Sequence, residues 1–165
     1  MRLNVSHQFG CDPDTFWNMY WDDSFEEVLN SSTDVQRTLL EESDDGTIYY
    51  RKLRFTPDKD LPRPAAKVLG SSKLIYEQEN TFDRTKSEMI WRVLPTLLPG
   101  RLNAEGLMKV IPEGSGCRLE VTGDIEVKVR FVGGQIEKLV VGQVEQSYVK
   151  LAAAARKWLA DRNLA

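Results

Sequence analysis

Cys117-Arg118-Leu119-Glu120-Val121-Thr122-Gly123-Asp124-Ile125-Glu126-Val127-Lys128-Val129-Arg130-Phe131, followed by Val132-Gly133-Gly134 and a helical pattern lasting to about Arg162, decides the fold of this chain. Odd positions are apolar or small and even positions are charged or hydroxylated, so the stretch reads as a strand with one covered face and one wet face. Beyond the glycines the period changes. A rotation of about 100° per residue gathers Ile136, Val140, Leu151, Ala154 and Trp158 into one stripe, which predicts a helix from about Gly133 to Arg162. Gln143 and Ser147 fall near the centre of that stripe. Polar groups under a buried stripe need partners, so either the space beneath the helix holds water or a ligand, or neighbouring side chains bond them.

Upstream, Arg2 to Phe9 alternates Leu3, Val5, His7 and Phe9 against polar residues, a strand signal. Asp12-Pro13-Asp14 then offers an N-cap and a first-turn proline for a short helix carrying Phe16, Trp17 and Tyr20. Asp22-Asp23-Ser24 caps a second, in which Phe25, Val28 and Leu29 share a face. Five further strands are expected over Val35 to Ser43, Thr47 to Phe55, Lys73 to Phe82, Lys86 to Val93 and Leu102 to Ile111. Short polar connections such as Asp44-Asp45-Gly46 and Asp83-Arg84-Thr85 suit hairpins, so the sheet should be mostly antiparallel. The layout is α+β, with seven strands, two short helices after the first of them and one long helix laid on the sheet. No repeat, low-complexity tract or linker is visible, and residues 1–165 read as one domain.

Composition narrows the function. The chain is 41% hydrophobic and 28% charged, which is ordinary for a folded protein, and a net charge of -3 with no dense Lys/Arg block excludes an electrostatic footprint for nucleic acid. The opening Met1-Arg2-Leu3-Asn4-Val5-Ser6-His7 lacks the apolar core of a signal peptide, and no run reaches the length of a transmembrane segment. Cys11 and Cys117, distant and without CxxC spacing, read as free thiols. The expectation is a cytoplasmic protein.

The element order, the Phe16-Trp17 helix, the Asp23-Ser24-Phe25 start of the second helix and Val132-Gly133-Gly134-Gln135-Ile136-Glu137 together resemble the START-related helix-grip superfamily. That group includes START lipid-transfer domains, the birch-pollen allergen and its plant relatives, and bacterial polyketide cyclases; within it the chain most resembles a bacterial family of unassigned function. The resemblance covers essentially the whole chain. It implies a curved antiparallel sheet gripping the C-terminal helix around an apolar cavity, and binding of a hydrophobic small molecule, a lipid or polyketide-like compound, with transfer as an extension of binding. Fold alone does not fix function.

Signals for chemistry are sparse. His7 is the sole histidine and sits in phase with apolar neighbours, more in the manner of a structural residue than a general base. One His and two distant Cys assemble no His/Cys metal site, and the pairs Asp12/Asp14, Asp22/Asp23 and Asp44/Asp45 stand where caps and turns want Asp. No nucleophile elbow, P-loop or dinucleotide fingerprint occurs, so neither a catalytic group nor a cofactor is assigned. Inward-facing Trp17, Met89, Trp91, Met108, Val121 and Ile125 can line a pocket, with Gln143, Ser147 and Tyr148 as polar contacts from the helix. The alternative is that they fill a solid core, which would suit a protein-interaction module. A cyclase or hydrolase using His7, Tyr148 or a buried carboxylate is the other reading.

Strand reversals place the connections Thr56 to Ser72, Leu94 to Arg101 and Val132 to Gly134 at one end of the sheet. The first contains a short helix with Pro64 near its start and Gly70 as its stop, and the second, Leu94-Pro95-Thr96-Leu97-Leu98-Pro99-Gly100, is unusually apolar for a loop. They read as a lid. In that role Leu97 and Leu98 touch an entering ligand or a membrane that delivers it transiently; otherwise they cap the core beneath.

Overall fold

The computed structural model describes residues 1–94, 96 and 98–165. Among these, the elements run β1 (Arg2–Phe9), α1 (Pro13–Tyr20), α2 (Asp23–Ser32), β2 (Val35–Asp44), β3 (Ile48–Pro57), α3 (Arg63–Leu69), β4 (Tyr76–Asp83), β5 (Glu88–Val93), β6 (Leu102–Glu113), β7 (Gly116–Val127) and α4 (Gly133–Asp161). The strands form one antiparallel sheet in the order β1-β7-β6-β5-β4-β3-β2. This is the seven-stranded helix-grip layout expected from the sequence. Pro95 and Leu97 lie outside the described residues.

The helix starts follow local chemistry. Asp12 Oδ1 accepts from the Thr15 amide at 2.7 Å and Asp22 Oδ1 from the Ser24 amide at 2.8 Å, satisfying donors that a first turn leaves free. α3 ends at Gly70, whose φ of 67° suits a residue without Cβ. The order of β1, β7 and the following strands sends the segments after β3, β5 and β7 to the same end. There Leu61, Ala65 of α3, Leu98, Val129, Val132 and Ile136 of α4 share a second apolar cluster, distinct from the main core.

Of the strand ends that differ from expectation, three have a clear local cause. Alternation continues to Phe131, yet β7 stops at Val127, because Leu102 is the β6 residue opposite Val127 and the chain before it is not a strand. With no partner to pair with, the backbone turns instead. Lys128 N donates to Arg101 O at 2.7 Å, Glu137 Oε1 takes the Val127 amide at 2.9 Å, and Phe131 is left 87% exposed with a φ of 69°. Gly133 is needed for closeness, since a Cβ there would stand 2.2 Å from Val127 O. β4 begins at Tyr76 rather than Lys73, because Ser71 Oγ and Lys73 bond each other in a turn. β5 begins at Glu88 rather than Lys86, because Ser87 adopts a φ of 55°.

α4 grips the sheet at its two ends only. Ile136 and Val141 are buried near its start and Leu151, Ala152, Ala154, Ala155, Trp158 and Leu159 near its end, where three alanines let the helix approach β1 and β7. From Gly142 to Lys150 no residue is buried, although the helix continues unbroken. Its middle spans a gap.

Candidate functional site

That gap is a cavity of about 140 Å³ between the concave face of the sheet and α4. At roughly 10–15 Å³ per water on this measure, it has room for on the order of ten waters, far beyond an ordinary packing defect. Apolar side chains make most of its wall. Leu3 comes from β1, Trp91 and Val93 from β5, Ala104 from β6, Val121 and Ile125 from β7, and Val140, Val144 and Leu151 from α4.

Of the residues singled out from sequence, Trp91, Val121, Ile125, Ser147 and Tyr148 line this cavity. Gln143 does not. It lies one turn nearer the helix start and lines a side groove that shares Val140, Val144 and Ser147 with the cavity and continues past Asp34, Pro57 and Lys59 to the surface. Trp17, Met89 and Met108 are also displaced from the assignment, and the reason is depth along the sheet. Met89 pairs with Met108, and Met108 with Val121, but both methionines are fully buried at the closed end, under α1. There Trp17 packs against Phe82 at 4.3 Å between ring centroids and donates from Nε1 to Ser87 Oγ at 2.7 Å. On β5 the lining begins one residue pair closer to the open end, at Trp91, while on β7 it reaches back to Val121, level with the methionines. Leu98 packs in the second apolar cluster with α3, while Leu97 lies outside the described residues.

Trp91 lies flat because the strands beneath it carry no side chain. Gly106 and Gly123 face each other across β6 and β7, and a Cβ on Gly123 would come within 2.3 Å of Trp91 Cζ2. The indole therefore floors the cavity instead of filling it, and its Nε1 is buried without a hydrogen-bond partner among the described residues.

The charged part of the wall was not legible beforehand. Arg37 on β2, with a side chain only 8% exposed, enters the cavity beside Tyr20, Tyr76 and Tyr148. Its guanidinium sits over the Tyr20 ring at 5.7 Å and the Phe55 ring at 5.5 Å, and Phe55 in turn stacks on Tyr76 at 5.0 Å. Its contacts to oxygen are long: Nη2 donates to Tyr20 Oη at 3.4 Å, and Nε approaches Glu26 Oε1 at 3.4 Å without making a hydrogen bond. Burial works against its charge, but Tyr20 and Glu26 outweigh burial and hold the guanidinium protonated. Burial also pushes the Tyr148 phenol well above its ordinary range, with Tyr20 adding to the effect and Arg37 opposing it. Tyr76 is pushed up to about 12 by burial, against the pull of Arg37. The signal that could have found Arg37 is its phase, since Val35 and Arg37 share the inward period-two face of β2.

His7 is away from the cavity. It lies on β1 opposite Leu119, and burial, then Arg156, lower its pKa. Among the described residues Arg37 is the one charged side chain of the cavity wall, and no carboxylate lines it.

A curved antiparallel sheet holding a C-terminal helix over an apolar cavity is the START-like helix-grip architecture, and solved structures agree. The chain is similar to a START superfamily protein from Mycobacterium smegmatis, with a TM-score of 0.63 and 14% identity over 96% of this chain and 98% of that one. It is also similar to the di-domain ARO/CYC StfQ from the steffimycin biosynthetic pathway, with a TM-score of 0.63 and 12% identity over 99% of this chain and 52% of that one. At such identities the likeness is one of fold. The family model described as "Protein of unknown function (DUF2505)" matches residues 4–159, and the chain belongs to that family. Uncharacterized protein Rv0481c of Mycobacterium tuberculosis is 27% identical over 106 residues, which cover 62% of this chain and 60% of the relative's length. No helix among the described residues is long and apolar enough to cross a membrane.

Proposed function

We propose that this protein binds a hydrophobic small molecule, a lipid or polyketide-like compound, in the cavity between the sheet and α4, and that it can hand such a molecule on. One observation carries the reading: α4 runs unbroken over a stretch of nine residues with none buried, above a wall of Trp91, Val121 and Ile125. A helix that merely completed a core would bury its middle as it buries its ends. Ser147 and Tyr148 supply the polar contacts from the helix. α3 and the loop carrying Leu97 and Leu98 act as the lid at the open end. The two buried, free thiols suit a reducing compartment, and the reading places the protein in the cytoplasm.

Binding is favoured over catalysis by the inventory of acid–base groups. A general base needs a pKa near neutrality and reach to the reacting atom. His7 has no such reach, the Tyr148 phenol stays protonated, and among the described residues no carboxylate lines the cavity. Native mass spectrometry of the purified protein tests the reading. A noncovalent adduct of small-molecule mass, released on unfolding, is expected. Bare protein that also fails to take up the neutral dye N-phenyl-1-naphthylamine would overturn it.

A further inference from the structure

Arg37 is an odd residue to find in an apolar wall. Its guanidinium offers five N–H donors in a rigid fork, yet the described residues supply one long hydrogen bond from Nη2 to Tyr20 and, at Nε, an unaligned approach by Glu26. Buried polar groups are normally satisfied, and a buried cation with donors to spare is costly. The residue is also held still. The rings of Tyr20 and Phe55 flank the guanidinium, and Phe55 is stacked on Tyr76 with an interplanar angle of 5°. Fixed geometry and unmet donors together describe half of a recognition pair.

The missing half has a definable chemistry. Glu26 approaches Nε, the inner nitrogen of the fork, and lies outside the cavity lining; Tyr148, whose phenol burial keeps protonated, faces the guanidinium as a neutral group. A ligand oxygen arriving through the cavity therefore meets a positive charge and no carboxylate. The group that matches a guanidinium fork with two parallel hydrogen bonds is a carboxylate. The rest of the wall is mostly apolar or aromatic, with Thr33, Gln78, Asn80 and Ser147 as its neutral polar side chains.

We propose that Arg37 anchors the carboxylate head of the cavity's ligand, which makes that ligand an amphipathic carboxylic acid with an alkyl or fused-ring body lying against Trp91, Val121 and Ile125. The inference rests on the cavity-binding reading above and deepens it. Charge-assisted hydrogen bonds in a water-poor site favour the acid over a neutral analogue of equal length by about ten- to a hundredfold.

Displacement of N-phenyl-1-naphthylamine, which carries no charge, separates the two claims. Decanoate and 1-decanol are compared as competitors on the wild type, Arg37→Met and Arg37→Lys. Decanoate should compete at least about tenfold better than decanol on the wild type. Arg37→Met should abolish that preference, read as the ratio of decanoate to decanol affinity on each protein, and Arg37→Lys should keep part of it. Dye binding with equal competition by acid and alcohol, or with the preference intact in Arg37→Met, overturns the carboxylate assignment and leaves the cavity reading standing. No dye binding and no competition overturns both. Should Arg37→Met fail to fold, the wild type alone decides. The decanoate-to-decanol preference must collapse as pH falls below about 4.5, where the carboxyl protonates, and a flat preference refutes the anchor.

Discussion

Replacing Ala104 with Leu distinguishes an empty cavity from a filled core by the sign of one number. Ala104 is 4% exposed, pairs with Ile125 across β6 and β7, and forms part of the cavity wall without any polar contact to disturb. Leu adds three carbons. If they project into the 140 Å³ space, burial contributes at most about 0.8 kcal/mol each, or roughly 2.4 kcal/mol, an upper bound because unfolded chains already hide some surface. Ordering the longer side chain costs about 0.5–1 kcal/mol. The net gain is about 1.5 kcal/mol, and at roughly 2–4 °C per kcal/mol for a chain of this size, Tm should rise by about 3–6 °C. The same change in a close-packed interior forces side chains off their rotamers and costs about 1–3 kcal/mol. Calorimetry of the ligand-free protein reads the sign, and titration with N-phenyl-1-naphthylamine should show weaker binding in the variant. A lowered Tm with unchanged dye affinity would refute the reasoning.

Three further outcomes follow from named contacts. Ser147 Oγ donates to the Gln143 carbonyl within the helix at 2.9 Å, so Gln143→Leu with Ser147→Leu should change stability by less than about 1 kcal/mol in a urea melt while weakening dye binding; a loss of about 1–3 kcal/mol per partner would instead reveal a buried network. Gly123→Ala should drive a methyl against Trp91 and the Glu105 carbonyl, costing about 1–3 kcal/mol by thermal melt and shifting the indole emission. Asp34 ties Lys150 of α4 to Lys59 beside the side groove, and hydrogen bonding from Lys150, then the charges of Lys150 and Lys59, hold its carboxyl below the ordinary value of 3.8. A depressed carboxyl keeps such a tie above its unfolded pKa and loses it as pH falls through the folded one. Stopped-flow dye uptake should therefore be unaffected by pH from about 7 down to 5 and quicken only below about 4, and Asp34→Asn should quicken it about two- to fivefold at pH 7.

Periodicity made the fold readable and left the site half read. The period-two run from Cys117 and the 3.6-residue run after Gly133 are long enough that local pattern and tertiary demand agree. Where β7 ends is different, since Val129 keeps the alternation and only the absence of a paired neighbour beyond Leu102 stops the strand. The cavity wall shows the same division. Inward facing follows from phase, so Trp91, Val121 and Ile125 could be named, but depth along the sheet does not, and Trp17, Met89 and Met108 share the inward phase while belonging to the closed end. Arg37 escaped because a charged side chain counts against burial in any pattern search, although its phase with Val35 pointed inward. Tyr20 and Tyr76 reach the cavity through the approach of α1 and β4, a long-range arrangement that no local window contains.

The central claim is that a small molecule sits beneath the middle of α4, and methyl-labelled NMR locates it most directly. With N-phenyl-1-naphthylamine bound, intermolecular NOEs should connect the dye to the methyls of Val121, Ile125, Val144 and Leu151, which border the unburied stretch of the helix. NOEs confined to the outer cluster around Leu61, Leu69 and Val132, or none from the cavity methyls at saturating dye, would contradict the account.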